Sequence, residues 1–118
     1  MMEKKWGRIF NSSSVAALAG NFGQANYAAS KGAILSMTRS MGKELGKYGI
    51  TVNAVVPGAI FTPMTATIPE NIRAEKASKF PTHRWGEPRE VANAYAFLAS
   101  EEVSYVNATA VTVDGGFL

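Results

Sequence analysis

The sequence predicts an α/β chain built as about half of a doubly wound parallel sheet, three strands with flanking helices. Two observations carry this. Short, continuous runs of apolar and β-branched residues recur at Gly7–Asn11, Ile50–Val56 and Thr109–Val113, as expected of strands buried on both faces. Helical stretches separate them, one from about Phe22–Gln24 to Tyr48 and another opened by Pro88. The 118 residues are 47% hydrophobic, which suits one packed domain or part of one and is too apolar for disorder.

Composition narrows the function classes. The net charge of +3 is modest and no run of Lys or Arg forms a stripe, which argues against a nucleic-acid partner. There is no cysteine, so disulfides and cysteine-ligated metals are excluded. A single histidine, His83, argues against a histidine triad or a multi-histidine metal site and reads as a loop residue. No apolar run approaches the roughly 18 residues of a membrane span. Residues 1–6 are charged, with no apolar stretch behind them, and read as a helix end or tail rather than a signal peptide.

The elements follow in order. Gly7 to Asn11 is the first strand, running into Ser12-Ser13-Ser14 and a Gly-bearing loop. The long helix starts with small residues, Ala25, Ala28, Ala29, Ser30, Gly32 and Ala33, which allow close packing. Ile34, Met37, Met41 and Leu45 continue it as an apolar stripe at helical spacing. Gly49 is its stop, with Lys43 and Lys47 near the negative end of the dipole. The second strand, Ile50 to Val56, turns at Pro57-Gly58. Residues 62–86 are broken by Pro63, Pro69 and Pro81, with one short helix expected around Glu70 to Lys79, and read as a mobile binding lid. Pro88 opens the next helix, whose buried stripe is Val91, Ala94, Tyr95 and Leu98. Thr109 to Val113 is the third strand, and Asp114-Gly115-Gly116 a turn.

Tyr27 and Lys31 stand four residues apart, on one face of the long helix. By itself such a pair is most often a surface pair. Chemically, a cation beside a phenol favours the phenolate, and a general acid tuned toward working pH is the use for that. Any of the three serines upstream could add a hydroxyl at the same place. In open α/β sheets ligands bind outside the carboxyl ends of strands, where both the serines and Pro57-Gly58 fall.

The order Ser12-Ser13-Ser14, Tyr27-Ala-Ala-Ser-Lys31, Asn53-Ala-Val-Val-Pro57-Gly58 and Val113-Asp-Gly-Gly116 resembles the C-terminal half of the short-chain dehydrogenase/reductase family, over nearly the whole chain. It is most similar to the 3-oxoacyl-[acyl-carrier-protein] reductase branch. The resemblance implies a Rossmann-like sheet and an oxidoreductase of fatty acid biosynthesis, cytoplasmic, using NADP or NAD, with NADP slightly favoured. It assigns catalysis to Ser14, thirteen residues before the tyrosine, with Tyr27 and Lys31; Ser13 is the nearest competitor, and Ser12 and Ser13 are otherwise strand-end residues bonded to backbone. It assigns cofactor contacts to Tyr27, Lys31, Pro57, Gly58, Ile60 and Thr62. The implied substrate is a small carbonyl compound or an acyl group on acyl carrier protein, and the implied assembly is a dimer or tetramer through the helix carrying Tyr27.

Two departures matter. Many family members have Thr-Gly where this chain has Asn107-Ala108, and if that glycine takes a positive φ, Ala108 costs about 1 kcal/mol. The Gly-rich pyrophosphate turn, the Asn-Asn-Ala-Gly motif, the family's catalytic asparagine and the residue choosing NAD or NADP have no counterpart here. The expectation is therefore that residues 1–118 are the C-terminal catalytic half of a domain whose dinucleotide-binding half is absent, inactive alone. The alternatives are a non-catalytic remnant or module that associates with a full-length relative and, more weakly, a serine hydrolase, which lacks a G-x-S-x-G elbow and a partnered histidine.

Overall fold

The computed structural model describes residues 1–118. The elements are β1 (Gly7–Ser12), α1 (Ala16–Ala19), α2 (Ala25–Leu45), β2 (Ile50–Pro57), α3 (Pro63–Ala66), α4 (Glu70–Ser78), α5 (Pro88–Ala99) and β3 (Ala110–Val113), with 3₁₀ turns at Gly46–Tyr48 and Glu101–Val103. The sheet is parallel throughout, in the order β1-β2-β3. Register runs from Gly7 opposite Ile50 to Ser12 opposite Val55, and from Ala54 opposite Ala110 to Pro57 opposite Val113.

β2 is the centre of the molecule because it alone has a strand on either side and a helix on either face. Its residues Val52, Asn53, Ala54, Val55 and Val56 are wholly buried. Strand side chains alternate between faces. Ala54 and Val56 form the core with Leu35 of α2. On the other face, Tyr95 of α5 meets Phe10 edge-on at 6.0 Å, and Leu98 of α5 is buried. The one amide side chain inside β2 is satisfied at both ends: Asn53 Nδ2 donates to Val106 O at 2.9 Å, and its Oδ1 accepts from Thr109 N at 3.2 Å. Thr51 Oγ1 and Arg8 Nε, from facing register positions, are buried without partners.

α2 lies on the sheet by a different face from the one its apolar residues suggest. The buried positions are Leu35, Thr38 and Gly42. Met37 is 46% exposed, and Ile34, Met41 and Leu45 are only half-buried. Close approach decides this. A Cβ on Gly42 would come within 2.8 Å of the Ala108 Cβ and 2.9 Å of Asn107 Oδ1. The Thr38 hydroxyl is buried at no cost in bonds, donating to Ile34 O at 2.7 Å and accepting from Asn11 Nδ2 at 2.9 Å. Asn107 completes the junction, its Nδ2 donating to Gly42 O and its Oδ1 accepting from Val52 N, both at 2.9 Å. Gly49 ends the helix region with φ 68°.

Residues 62–86 hold more order than the prolines suggest. The helix expected near Glu70 is present as α4, with Pro69 at its N-cap. α3 is an addition, started by a reciprocal cap between Thr62 and Thr65 with Pro63 inside its first turn. α1, ended at Gly20 with φ 72°, was likewise expected only as loop. The segment is closed by a parallel bridge of Ile60 to Gly86, with Phe61 N donating to Gly86 O at 2.8 Å and Gly86 N to Ala59 O at 2.9 Å. A bidentate pair then ties it to α5, Arg84 to Glu90 at 2.8 and 2.6 Å.

Ala108 adopts φ 58°, the left-handed region that costs a residue with a Cβ. Ala108→Gly is expected to raise stability by about 0.5–1 kcal/mol in a denaturant melt, the lost methyl contact at Gly42 offsetting part of the relief. The second expectation concerns acid. The Arg84 hydrogen bond, followed by the Glu87 backbone N–H, holds the Glu90 carboxyl down to about 2 from 4.5. The folded value lies below the unfolded one, so the contribution of this partly exposed pair is complete above pH 4.5 and is lost as pH falls toward 2. Thermal melts across that window are expected to show a smaller acid-induced decline in Glu90→Gln than in the native sequence.

Candidate active site

The site residues gather where β1 and β2 end and α2 begins. β1 runs out at Ser12, and the chain crosses the top of the sheet, with Ser13 N donating to Val55 O at 2.9 Å and Val15 N to Pro57 O at 3.1 Å. Ser14 lies between these two anchors. Its hydroxyl accepts from Ala16 N at 3.2 Å, opening α1. Ser13 is buried, and its hydroxyl donates to Lys31 O at 2.9 Å. That bond commits Ser13 to structure and leaves Ser14 the less buried of the two.

Lys31 stands in the first two turns of α2, one turn after Tyr27. The two side chains do share a face: the Lys31 ammonium lies 5.7 Å from the centroid of the Tyr27 ring, within cation–π reach. The same ammonium donates to Ser12 O at 3.0 Å. Tyr27 is 41% exposed, so its phenol is open to a ligand. No acidic side chain takes part in these contacts; the amine's hydrogen-bond partner is a neutral carbonyl.

The expectation that Ser12 bonds to backbone through its hydroxyl is corrected here. Ser12 Oγ bonds instead to the Tyr95 hydroxyl from α5. Strand alternation turns Ser12, like Phe10, toward the α5 face, and Tyr95 is the polar-tipped residue waiting there. The signal was legible as a lone tyrosine within an otherwise aliphatic stripe, a side chain that seeks a partner when half-buried.

The Pro57–Thr62 segment leaves the carboxyl end of β2 directly beside this cluster. Gly58 N donates to Val113 O at 3.0 Å. A Cβ on Gly58 would meet Asp114 Cβ at 2.7 Å and its Cα at 2.9 Å, so only glycine passes between β2 and the turn after β3. Asp114 fixes that turn, its carboxylate accepting from Gly116 N at 2.9 Å and Leu118 N at 3.0 Å. Ile60 is pinned by the bridge to Gly86. The Thr62 hydroxyl accepts from Thr65 N at 3.3 Å as the cap of α3. Lys31 thus stands beside Tyr27 at the end of β1, Ser14 lies on the chain that leaves that end, and Pro57, Gly58 and Ile60 follow one another out of β2. A small cleft of about 70 Å³ beside Ile60, Arg84, Glu90 and Asp114 lies outside the Tyr27 cluster.

A family model described as Enoyl-(Acyl carrier protein) reductase matches residues 1–118. The chain is 47% identical over 118 residues to a 3-oxoacyl-[acyl-carrier-protein] reductase of Rickettsia felis, covering 100% of this chain and 49% of that protein. It is 48% identical over 118 residues to the protein of the same name from Thermotoga maritima, covering 100% and 48%. The crystal structure of 3-oxoacyl-[acyl-carrier protein] reductase from Brucella melitensis superposes with a TM-score of 0.94 at 41% identity, covering 100% of this chain and 45% of that one. The chain spans about half the length of the curated relatives it matches. With the match running from the first residue to the last, this chain belongs to the short-chain dehydrogenase/reductase family.

Proposed function

We propose that residues 1–118 form the catalytic half of an NAD(P)-dependent carbonyl reductase, similar to the 3-oxoacyl-[acyl-carrier-protein] reductases, with Ser14, Tyr27 and Lys31 carrying the proton chemistry. The observation that supports this best is the Lys31 ammonium beside the Tyr27 ring, 5.7 Å from its centroid, where β1 ends. In this reading Tyr27 donates a proton to the substrate carbonyl oxygen. Lys31 offsets the negative charge the phenol then takes on. Ser14 hydrogen-bonds the same oxygen and orients it. A bound nicotinamide supplies the hydride, which no side chain can provide. Carbonyl, hydride and proton together give the alcohol, and the reverse reaction uses the same groups.

The residues present fit the nicotinamide end of such a cofactor. Gly58, held against Asp114 of the turn after β3, carries the chain out of the carboxyl end of β2, where ligands of open α/β sheets bind. Pro57, Gly58, Ile60 and Thr62, with Tyr27 and Lys31, are the proposed contacts. A Gly-rich turn for the pyrophosphate is not among these residues, so the rest of the cofactor needs a second half-domain, and the 118 residues alone are expected to turn over no substrate. NADP is slightly favoured over NAD by the family resemblance, and a 3-oxoacyl group on acyl carrier protein over a free small carbonyl compound by the names of the relatives. The outward Met37 on α2 supports a homo-oligomer formed through that helix. No helix is long and apolar enough to cross a membrane; the cytoplasmic location we propose rests on the family resemblance alone.

A second reading, a non-catalytic module that binds a full-length relative, is favoured by one observation. Only 14 of 118 residues are buried, and β1 has a strand on one side only, which leaves surface suited to a partner.

Titration of NADPH or NADH into residues 1–118 joined to the dinucleotide-binding half of a relative separates the two readings. Binding weakened about tenfold or more by Lys31→Met through the lost charged contact is expected; an affinity unchanged by Lys31→Met favours the module. In a polypeptide joining residues 1–118 to the dinucleotide-binding half of the Rickettsia felis relative, Tyr27→Phe is expected to lower turnover at least about a hundredfold with the fold intact. An undiminished rate would refute the assignment.

A further inference from the structure

Lys31 is delivered to the Tyr27 ring by a peptide unit that is itself held from four directions. The Ser12–Ser13 peptide is trans, so its N–H and C=O point to opposite sides of the strand. The N–H faces β2 and donates to Val55 O at 2.9 Å. The C=O therefore faces the open edge of β1, and there it accepts from Lys31 Nζ at 3.0 Å. On the α2 face, the Ser13 hydroxyl donates to Lys31 O at 2.9 Å. On the α5 face, the Ser12 hydroxyl bonds to the Tyr95 hydroxyl.

The last of these holds has no evident purpose in the core. Ser12 is the final residue of β1 and is exposed. A strand terminus with one neighbouring strand is where fraying starts. Ser12 is paired only through Val55 in the register. Tyr95 is in turn set by its edge contact with Phe10, 6.0 Å between centroids and 65° between planes, so the phenol comes from a packed ring on a helix.

We propose that Tyr95 is a positioning residue for Lys31, acting through Ser12 from the opposite face of the sheet. The Tyr95 hydroxyl fixes the Ser12 side chain. That fixes the carbonyl of the same residue, and the carbonyl holds the ammonium within reach of the Tyr27 ring. The functional weight of this link rests on the reading of Lys31 as a working group; the link itself is a matter of where an amine sits.

The test is competitive acylation of the 118-residue chain with an N-hydroxysuccinimide ester, read lysine by lysine after proteolysis, with Lys43 and Lys47 as internal references. Tyr95→Phe keeps the ring and removes only the hydroxyl. It is expected to raise the labelling of Lys31 about fivefold over the references, the size of one lost hydrogen bond. Ser12→Ala is expected to do the same, and the double variant to do no more than either single one. Hydrogen exchange at the Ser13 amide is expected to quicken in parallel while the amides of Val52 to Ala54 keep their rates. An unchanged Lys31 ratio in Tyr95→Phe overturns the link, as does a double variant whose effect is the product of the two. Should Tyr95→Phe not fold, Ser12→Ala decides alone, since it alters an exposed residue. Turnover that survives Lys31→Met in the joined polypeptide overturns the proposed function; the labelling ratio is independent of turnover and judges only the positioning link.

Discussion

The carbonyl of Ser12 accepting from the Lys31 ammonium at 3.0 Å is the contact on which the proposed site depends. A lysine side chain has four rotatable bonds and no preference for one place. Here its backbone is tied to β1 by the Ser13 hydroxyl and its tip by the Ser12 carbonyl. Both ends of one residue are thus bound to two consecutive residues, the last of the strand and the one after it. The distance from amine to phenol then follows from helix geometry, since Tyr27 precedes Lys31 by one turn. Had the acceptor been a carboxylate, the ammonium would have been neutralised where it stands; a carbonyl orients the charge and leaves it in place.

This arrangement requires the strand order that is found. Parallel strands with crossover helices bring their carboxyl ends to the same side. The chain leaving β1 carries the serines, β2 runs out through Pro57 to Gly58, and β3 closes against Gly58 through Val113 O. β2 can serve as the middle because it is apolar on both faces apart from Thr51 and Asn53, and Asn53 is hydrogen-bonded through both its amide nitrogen and its oxygen. The chain spends its order on that middle strand and leaves the outer edge of β1 unpaired, which is the edge the Ser12 carbonyl faces.

Much of this could be read from the residues. The three strands, α2, α4 and α5 fall where apolar runs, Pro69, Pro88 and Gly49 place them, because each has a local cause: β-branched runs, a proline at a helix start, a glycine in the left-handed region. The shared face of Tyr27 and Lys31 follows from helical spacing alone. The positive φ of Ala108 was legible only through the likeness to a family with glycine there. What was missed has a common reason. The seat of α2 on the sheet is made by Thr38 and Gly42, which hydrophobicity ranks low, and their burial depends on partners distant in sequence, Asn11 and Asn107. The Ser12–Tyr95 bond joins residues 83 positions apart, and no pattern within either segment announces it. α1 and α3 are single turns, too short for a period to show.

The seat of α2 at Gly42 has a consequence at some distance. α2 behaves as a stiff rod clamped to the sheet at two points, by Ser12 and Ser13 near its start and by Asn107 near its finish. Gly42 and Lys31 are eleven residues apart, roughly 16 Å along the axis. Any side chain added at Gly42 must lift that end away from Ala108, and a lifted rod pivots about the other clamp. Tolerance to change at the foot of the helix is therefore governed by the aim of an amine at its head, and substitutions that look remote from chemistry would be transmitted to it as leverage.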